Sequence, residues 1–239
     1  MSIITLTTDF GIKDFHVSKI KGLLNVELEN PKIIDISHEI SPFNLIEAAY
    51  VIKNAYSNFP RGSIHIVDID SEQTPDQSHI VIEMDEHFFI CADNGIISLI
   101  SSTIKPSKIF KINIGLHSAN TINNFVKVAA HLQRGGQLNV IGTEIFEIKE
   151  LTELKPIIKS NNELICNVIY IDNYGNVITN ITKDFFEKFQ ANRSFVINAR
   201  NIKFKQIFSS YSESINFNKE KKYRDCLLYT SDAADDKQC

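Results

Sequence analysis

A chain of 239 residues with 43% hydrophobic content is long enough to bury a sizeable core, so intrinsic disorder is excluded as the default state. Its formal charge of -4, with acids and bases interspersed, gives no basic stripe for nucleic acid, and no DNA or RNA partner is expected. Residues 1–11 hold no basic segment leading into an apolar one, and no apolar run reaches the roughly 18 residues of a membrane span, so the chain reads as a cytoplasmic protein with no membrane partner.

The first 145 residues alternate strand and helix signals in the manner of a βαβ series. Strands are predicted at 3–9, 32–37, 63–70, 79–84, 87–92, 108–113 and 138–142. A first helix follows Asp14, with Val17, Ile20, Leu23 and Leu24 on one face and Pro31 after its end. A second covers 44–59, with Leu45, Ala48, Ala49, Ile52 and Tyr56 as its buried stripe, and a third covers 123–134 before Gly135 and Gly136. Beyond residue 150 the texture changes to short strands at 163–172, 176–181, 194–199 and 202–207, with no long helix among them and a polar linker over 149–162. The fold class expected is therefore α/β: residues 1–150 form an α/β domain with a largely parallel central sheet, and 160–225 a small, incomplete, all-β barrel-like domain. Residues 226–236, reverse-translated, resemble the tail of a transposase adapter used in sequencing libraries; 226–239 is then non-native, and the alternative is a natural acidic tail.

Chemistry is expected at the carboxyl ends of the parallel strands, where loops diverge and helix N-termini point inward. Asp9, Asp35 with His38, and Asp68 with Asp70 lie at or near that edge, and strand alternation would turn Asp68 and Asp70 to one face. Such a set is what a hydrolytic metal centre needs, with a turn or cap as the simpler use of any one acid, and mutual pairing for Asp35 and His38. The spacing is not that of a known metal motif. His87, His117 and His131 fall on a hairpin, a loop and a helix face, His131 as a packed or capping ring. The four cysteines, Cys91, Cys166, Cys226 and Cys239, form no CxxC pair, and Cys91 and Cys166 read as small core residues. Dinucleotide, P-loop and serine-hydrolase motifs are absent.

Six collinear segments, LTTDFG (6–11), KG (21–22), IIDISHEISPF (33–43), FPRGSIHIVDID (59–70), ADNGIISL (92–99) and IYIDNYGNVITNI (169–181), resemble the S-adenosylmethionine hydroxide adenosyltransferases, hydrolase relatives of the adenosyl fluorinases and chlorinases. The resemblance spans about residues 3–210. It implies an N-terminal α/β domain, a C-terminal β-barrel, and a homotrimer with sites between subunits. It implies attack of water on C5′ of the adenosyl group of S-adenosylmethionine, giving adenosine and methionine, with no metal and no cofactor. Carried onto matching positions, Asp9 would hold the ribose hydroxyls, Phe43 wall the nucleoside, Asp172 pair with the methionine ammonium, and Tyr174 and Asn176 line the adenine side.

The match departs from the family at the chemistry. Where the hydrolases have an Asp-Pro-Gly-Val-Gly loop, Asp70 is kept but SEQT follows it. Gln77 stands at the family's Arg position and Asn120 at that of its His. The catalytic set implied is thus Asp70, Gln77 and Asn120, the last two orienting water by hydrogen bonds. A carboxylate near its reference pKa of about 4 is a weak base, and a lost acid–base partner typically costs roughly 10²- to 10⁴-fold. The alternative is a member that binds an adenosyl ligand without turnover or with another nucleophile. Chloride is disfavoured as that nucleophile by the charge of Asp70.

Overall fold

The structure, a computed structural model, describes residues 2–101, 104–113, 120–152 and 154–208; His117, Cys226, Cys239 and the whole of 226–239 lie outside the described residues. The chain divides into two compact units, one ending at residue 153 and one beginning at Leu154. The first runs β1 (Ile4–Thr8), α1 (His16–Glu27), β2 (Ile33–Ser37), α2 (Leu45–Tyr56), β3 (Ile64–Asp68), β4 (His79–Met84), β5 (His87–Ala92), α3 (Ile96–Ile100), β6 (Lys108–Ile112), α4 (Thr121–Gln133), α5 (Leu138–Ile141) and β7 (Gly142–Glu144).

One seven-stranded sheet of order β2-β1-β3-β5-β4-β6-β7 carries this unit. The sheet is mixed: β2, β1, β3 and β5 are parallel neighbours, whereas β4 is antiparallel to β5 and β6, and β7 to β6. The switch comes at the β4–β5 hairpin, closed over Asp85 and Glu86, both with positive φ (51° and 61°), a turn made without glycine. Alternation along the strands splits the core. Leu6, Ile66, Phe125 and Ala129 pack on the α1 and α4 face, and Ile52, Val67, Phe89 and Ile97 on the α2 and α3 face. The α2 start is fixed by its N-cap: Asn44 Oδ1 accepts from the Glu47 N–H (3.1 Å), and Glu47 Oε2 accepts from Asn44 Nδ2 (3.1 Å) and the Ser41 N–H (3.2 Å).

Two short segments depart from the periodicity. Of residues 138–142, predicted as a strand, Leu138–Ile141 form the helical turn α5, and pairing begins only at Gly142 opposite Ile112. A Cβ at Gly142 would collide with the Lys111 carbonyl, so close backbone approach selects glycine there. Three apolar residues in a run of four do not distinguish a turn of helix from a strand. The five-residue helix α3 is likewise too short to show a period.

The second unit contains β8 (Ile157–Ser160), β9 (Glu163–Ile165), β10 (Val168–Ile171), β11 (Val177–Thr179), α6 (Lys183–Gln190), β12 (Ile197–Ala199) and β13 (Ile202–Phe204), in three two-stranded sheets. The predicted strand 163–172 is broken at Cys166 and Asn167, where the Asn167 N–H donates to Asn180 Oδ1 (2.8 Å). The stretch read as linker supplies β8, and α6 is a helix the apolar pattern did not announce, capped by Thr182 accepting from the Phe185 N–H.

Besides His38, the first unit buries three more imidazoles, those of His65, His79 and His87. Thr5 Oγ1 bonds His65 Nδ1 (2.7 Å), and His65 Nε2 bonds His87 Nδ1 (3.1 Å), among the rings of Tyr56, Phe59 and Phe89. His79 donates through Nε2 to the Ser71 carbonyl (2.8 Å). Burial lowers all three, His65 to about 3 with the neighbouring His87 adding to it. A lowered imidazole contributes stability that is present above the unfolded value of about 6.5 and is lost as pH falls, because only the unfolded chain takes the proton. For His65 the slope is about 1.4 kcal/mol per pH unit over this window. The melting temperature of His65→Gln is therefore expected to fall less steeply than that of the parent from pH 6.5 to 4. Parallel curves in a thermal titration would show that His65 is not held neutral.

Candidate active site

The parallel strands β1, β2, β3 and β5 end side by side, and their carboxyl edge gathers most of the polar groups singled out above. Thr8 Oγ1 bonds His38 Nδ1 (2.9 Å) and the Gly11 N–H donates to the His38 carbonyl (2.6 Å), tying the ends of β1 and β2. Asp9, half-buried, accepts at Oδ2 from the Phe43 N–H (2.9 Å). Phe43 adopts a positive φ (62°), and the residue is 71% exposed beside this carboxylate. Such exposure is unusual for a phenylalanine in a strained turn, and it presents a flat apolar face next to an acceptor.

Asp35 does not join the edge. It lies within β2, where Lys21 Nζ donates to it (2.6 Å) and His38 Nε2 stands 3.2 Å away, so the pair is used locally. Among the described residues no group of three or more His, Cys, Asp or Glu is placed to hold a metal ion, and Asp9, Asp35, His38 and Asp68 do not close around one point. His131 accepts no ligand role either: its Nε2 donates to the Gln137 carbonyl (3.0 Å) across the glycine turn.

The strand ends at Asp68, and Asp68 and Asp70, expected on one face, separate into a buried and an exposed acid. Asp68 is 3% exposed, and its Oδ2 has no hydrogen-bond partner among the described residues. Burial pushes its carboxyl up to about 7, opposed by the Ser71 hydroxyl and helped by the charge of Asp9. Asp70, by contrast, is exposed in the left-handed region (φ 45°), which Asp tolerates better than most residues.

Side chains hold that strained residue by its carbonyl. Gln77 Nε2 donates to the Asp70 carbonyl (2.7 Å) and to that of Glu72 (3.1 Å). Both amide hydrogens of Gln77 are thus used inside the loop as a clasp, and the polar atom left to its side chain is the acceptor Oε1. Asn94, buried after β5, donates to the carbonyls of Ile69 (2.9 Å) and Asp70 (3.3 Å) and accepts from the Ile96 N–H (3.2 Å). Asn94 lies in the ADNGIISL segment with no role expected of it, and its signal in the sequence is an Asn-Gly pair after a predicted strand. Ser71, the next residue but one to Ile69, receives at its carbonyl both His79 Nε2 and the Thr121 hydroxyl (3.2 Å). The N-terminus of α4 is thereby docked on the Asp70 loop. Asn120 occupies the N-cap of α4 without making a side-chain capping bond.

The remaining predicted residues belong to the second unit. There Asp172 Oδ1 accepts from the N–H groups of Tyr174 (2.9 Å) and Asn176 (2.8 Å), and its Oδ2 from Asn176 Nδ2 (2.7 Å). A burial penalty raises this carboxyl, but the bonds from Asn176, Tyr174 and Gly175 outweigh it and hold the group below the usual carboxylate range. Tyr174 projects from the turn with 90% of its surface exposed.

Comparison with known proteins follows the same division of the chain. Residues 4–142 match the family model of the SAM hydroxide adenosyltransferase N-terminal domain, and 166–220 that of the C-terminal domain. The chain is 35% identical over 194 residues to an (R)-S-adenosyl-L-methionine hydrolase of Methanocaldococcus jannaschii, covering 77% of this chain and 68% of that protein. It is 23% identical over 190 residues to the protein of the same name from Thermus thermophilus, covering 74% of this chain and 73% of that one. A crystal structure of an uncharacterized conserved protein from Thermotoga maritima superposes with a TM-score of 0.75 at 26% identity, covering 90% of this chain and 85% of the other.

Proposed function

Because the chain belongs to the SAM hydroxide adenosyltransferase family, we propose that it hydrolyses S-adenosylmethionine to adenosine and L-methionine by attack of water at C5′ of the adenosyl group. The observation that carries this reading is Asp70, exposed at the end of β3 with its backbone clasped by Gln77 and Asn94 and α4 docked beside it. The sulfonium is already a good leaving group, so the task is to align a water opposite sulfur and keep other water away. A fixed carboxylate accepts a hydrogen bond from that water, and the negative charge of the edge suits a cationic substrate.

Asp9 takes the ribose hydroxyls: one of its oxygens is used by Phe43 and the other is open to a donor. The Phe43 ring covers the nucleoside. In the second unit, Asp172 pairs with the methionine ammonium, its shape set by its own turn, while Tyr174 and Asn176 line the adenine side. Asn120 steers water by its amide, a role its uncommitted side chain supports. The working form is a homotrimer in the cytoplasm with sites between subunits, a reading supported by the family resemblance, and no helix among the described residues is long and apolar enough to cross a membrane.

The test is chromatographic: the full chain incubated with S-adenosylmethionine is expected to release adenosine and methionine in equal amounts. Saturable binding without release would replace this reading by that of an adenosyl-ligand binder.

A further inference from the structure

We propose that Asp68 is the proton acceptor for the water aligned by Asp70, supplying the base that neither Asn120 nor Gln77 provides. This rests on the hydrolase reading above. Ile64 and Ile66 precede Asp68 on the same face of β3 and are ordinary core residues, so an acid continuing that series is out of place as packing. A buried carboxylate is normally saturated with hydrogen bonds. Asp68 Oδ2 has none among the described residues. An orphan acceptor of this kind needs a compensating use.

Its position identifies the use. Asp68 is two residues from Asp70 and lies beside Ser71, whose carbonyl joins the α4 N-terminus to the loop. The missing imidazole of the family would enter from Asn120, at that same N-terminus. On the elements that start or end at this edge of the sheet the ionisable residues are Asp9 after β1, His38 after β2, His79 opening β4, Asp93 after β5, His16 opening α1, and Asp70 itself. The first turn of α4, Thr121 to Asn124, contributes none. Of these, Asp9 repels a charge on Asp68, and with burial it places the carboxyl near neutrality, where a base is both free to accept and strong enough to do so.

The step balances without another reactant. The water oxygen bonds to C5′ as the C5′–S bond breaks, and the bond pair goes to sulfur, leaving neutral thioether methionine. The water proton passes to Asp68 Oδ2 and then to solvent, so one proton is released per turnover.

The test compares adenosine release by the parent and by Asp68→Asn, both as full chains, from pH 5.5 to 9, with melting temperatures in parallel. Asp68→Asn mimics the protonated acid, so it is expected to melt at or above the parent at pH 8. Its kcat is expected to fall by about 10²-fold with KM within about threefold, and the parent's rise in rate through pH 7 is expected to vanish. Should Asp68→Asn not fold, Asp68→Val, matched to its apolar neighbours, takes its place with the same expectation. A variant rate within about threefold of the parent, or a slower rate with the pH midpoint unmoved, overturns the assignment to Asp68 while the hydrolase reading stands. No release by the parent at any pH overturns both.

Discussion

Replacing Asp70 by Asn is expected to reduce adenosine release by at least about a hundredfold while changing affinity for S-adenosylmethionine only severalfold. Asn tolerates the left-handed backbone that Asp70 adopts, and the bonds from Gln77 and Asn94 go to the carbonyl, so the loop geometry survives the change. What is lost is the charge that fixes the water and offsets the positive charge developing beside it. An Asp70→Asn enzyme with parental kcat would remove Asp70 from the chemistry and leave the loop as mere architecture. Because the Asp70 side chain is exposed, the effect on folding stability should be small, which separates this variant from the next.

The second large effect is expected at Asn94, a residue that touches no part of the proposed substrate. Its amide joins three backbone groups, the Ile69 and Asp70 carbonyls and the Ile96 N–H. Asn94→Ala leaves the first with only the Ser71 hydroxyl and the second with only Gln77, and it removes the acceptor of the Ile96 N–H. Weakening such a buried network costs on the order of 2–3 kcal/mol, and the Asp70 carbonyl is freed to wander. Activity is therefore expected to fall together with the denaturation midpoint, whereas Asp70→Asn should lower activity alone. Measured urea midpoints and kcat for the two variants distinguish a positioning role from a chemical one. An Asn94→Ala protein of parental stability and rate would show that Gln77 alone holds the loop.

Much of this was legible in the sequence for physical reasons. The β1, β2 and β3 runs are bounded by acids and prolines, and α2 and α4 have strong apolar stripes, so their ends could be placed within a few residues. Asp9 and Asp70 could be located as acids at or near predicted strand ends, whereas the Asp172 turn was located through the family resemblance. The β4–β5 hairpin was legible although its turn uses Asp85 and Glu86 in place of a glycine, whereas the antiparallel pairing of β6 and β7 was not. The role of Gln77 was hidden more deeply. Side chain to backbone bonds across several residues leave no periodic trace, and a polar loop residue reads equally as ligand or clasp until its partners are known. Asp68 had been grouped with Asp70 by alternation, and only the turn at Asp70 reveals that one acid is buried and the other exposed.

The chain of bonds from Thr5 through His65 to His87 has a consequence for where protons reside. Each neutral ring has one N–H and one bare nitrogen. If the Thr5 hydroxyl donates to His65 Nδ1, the His65 proton sits on Nε2, is given to His87 Nδ1, and forces the His87 proton onto its own Nε2. If His87 donates from Nδ1 instead, every assignment reverses and the threonine becomes the acceptor. The two rings therefore share a single tautomeric bit, and a nitrogen chemical shift read from either one reports the state of both.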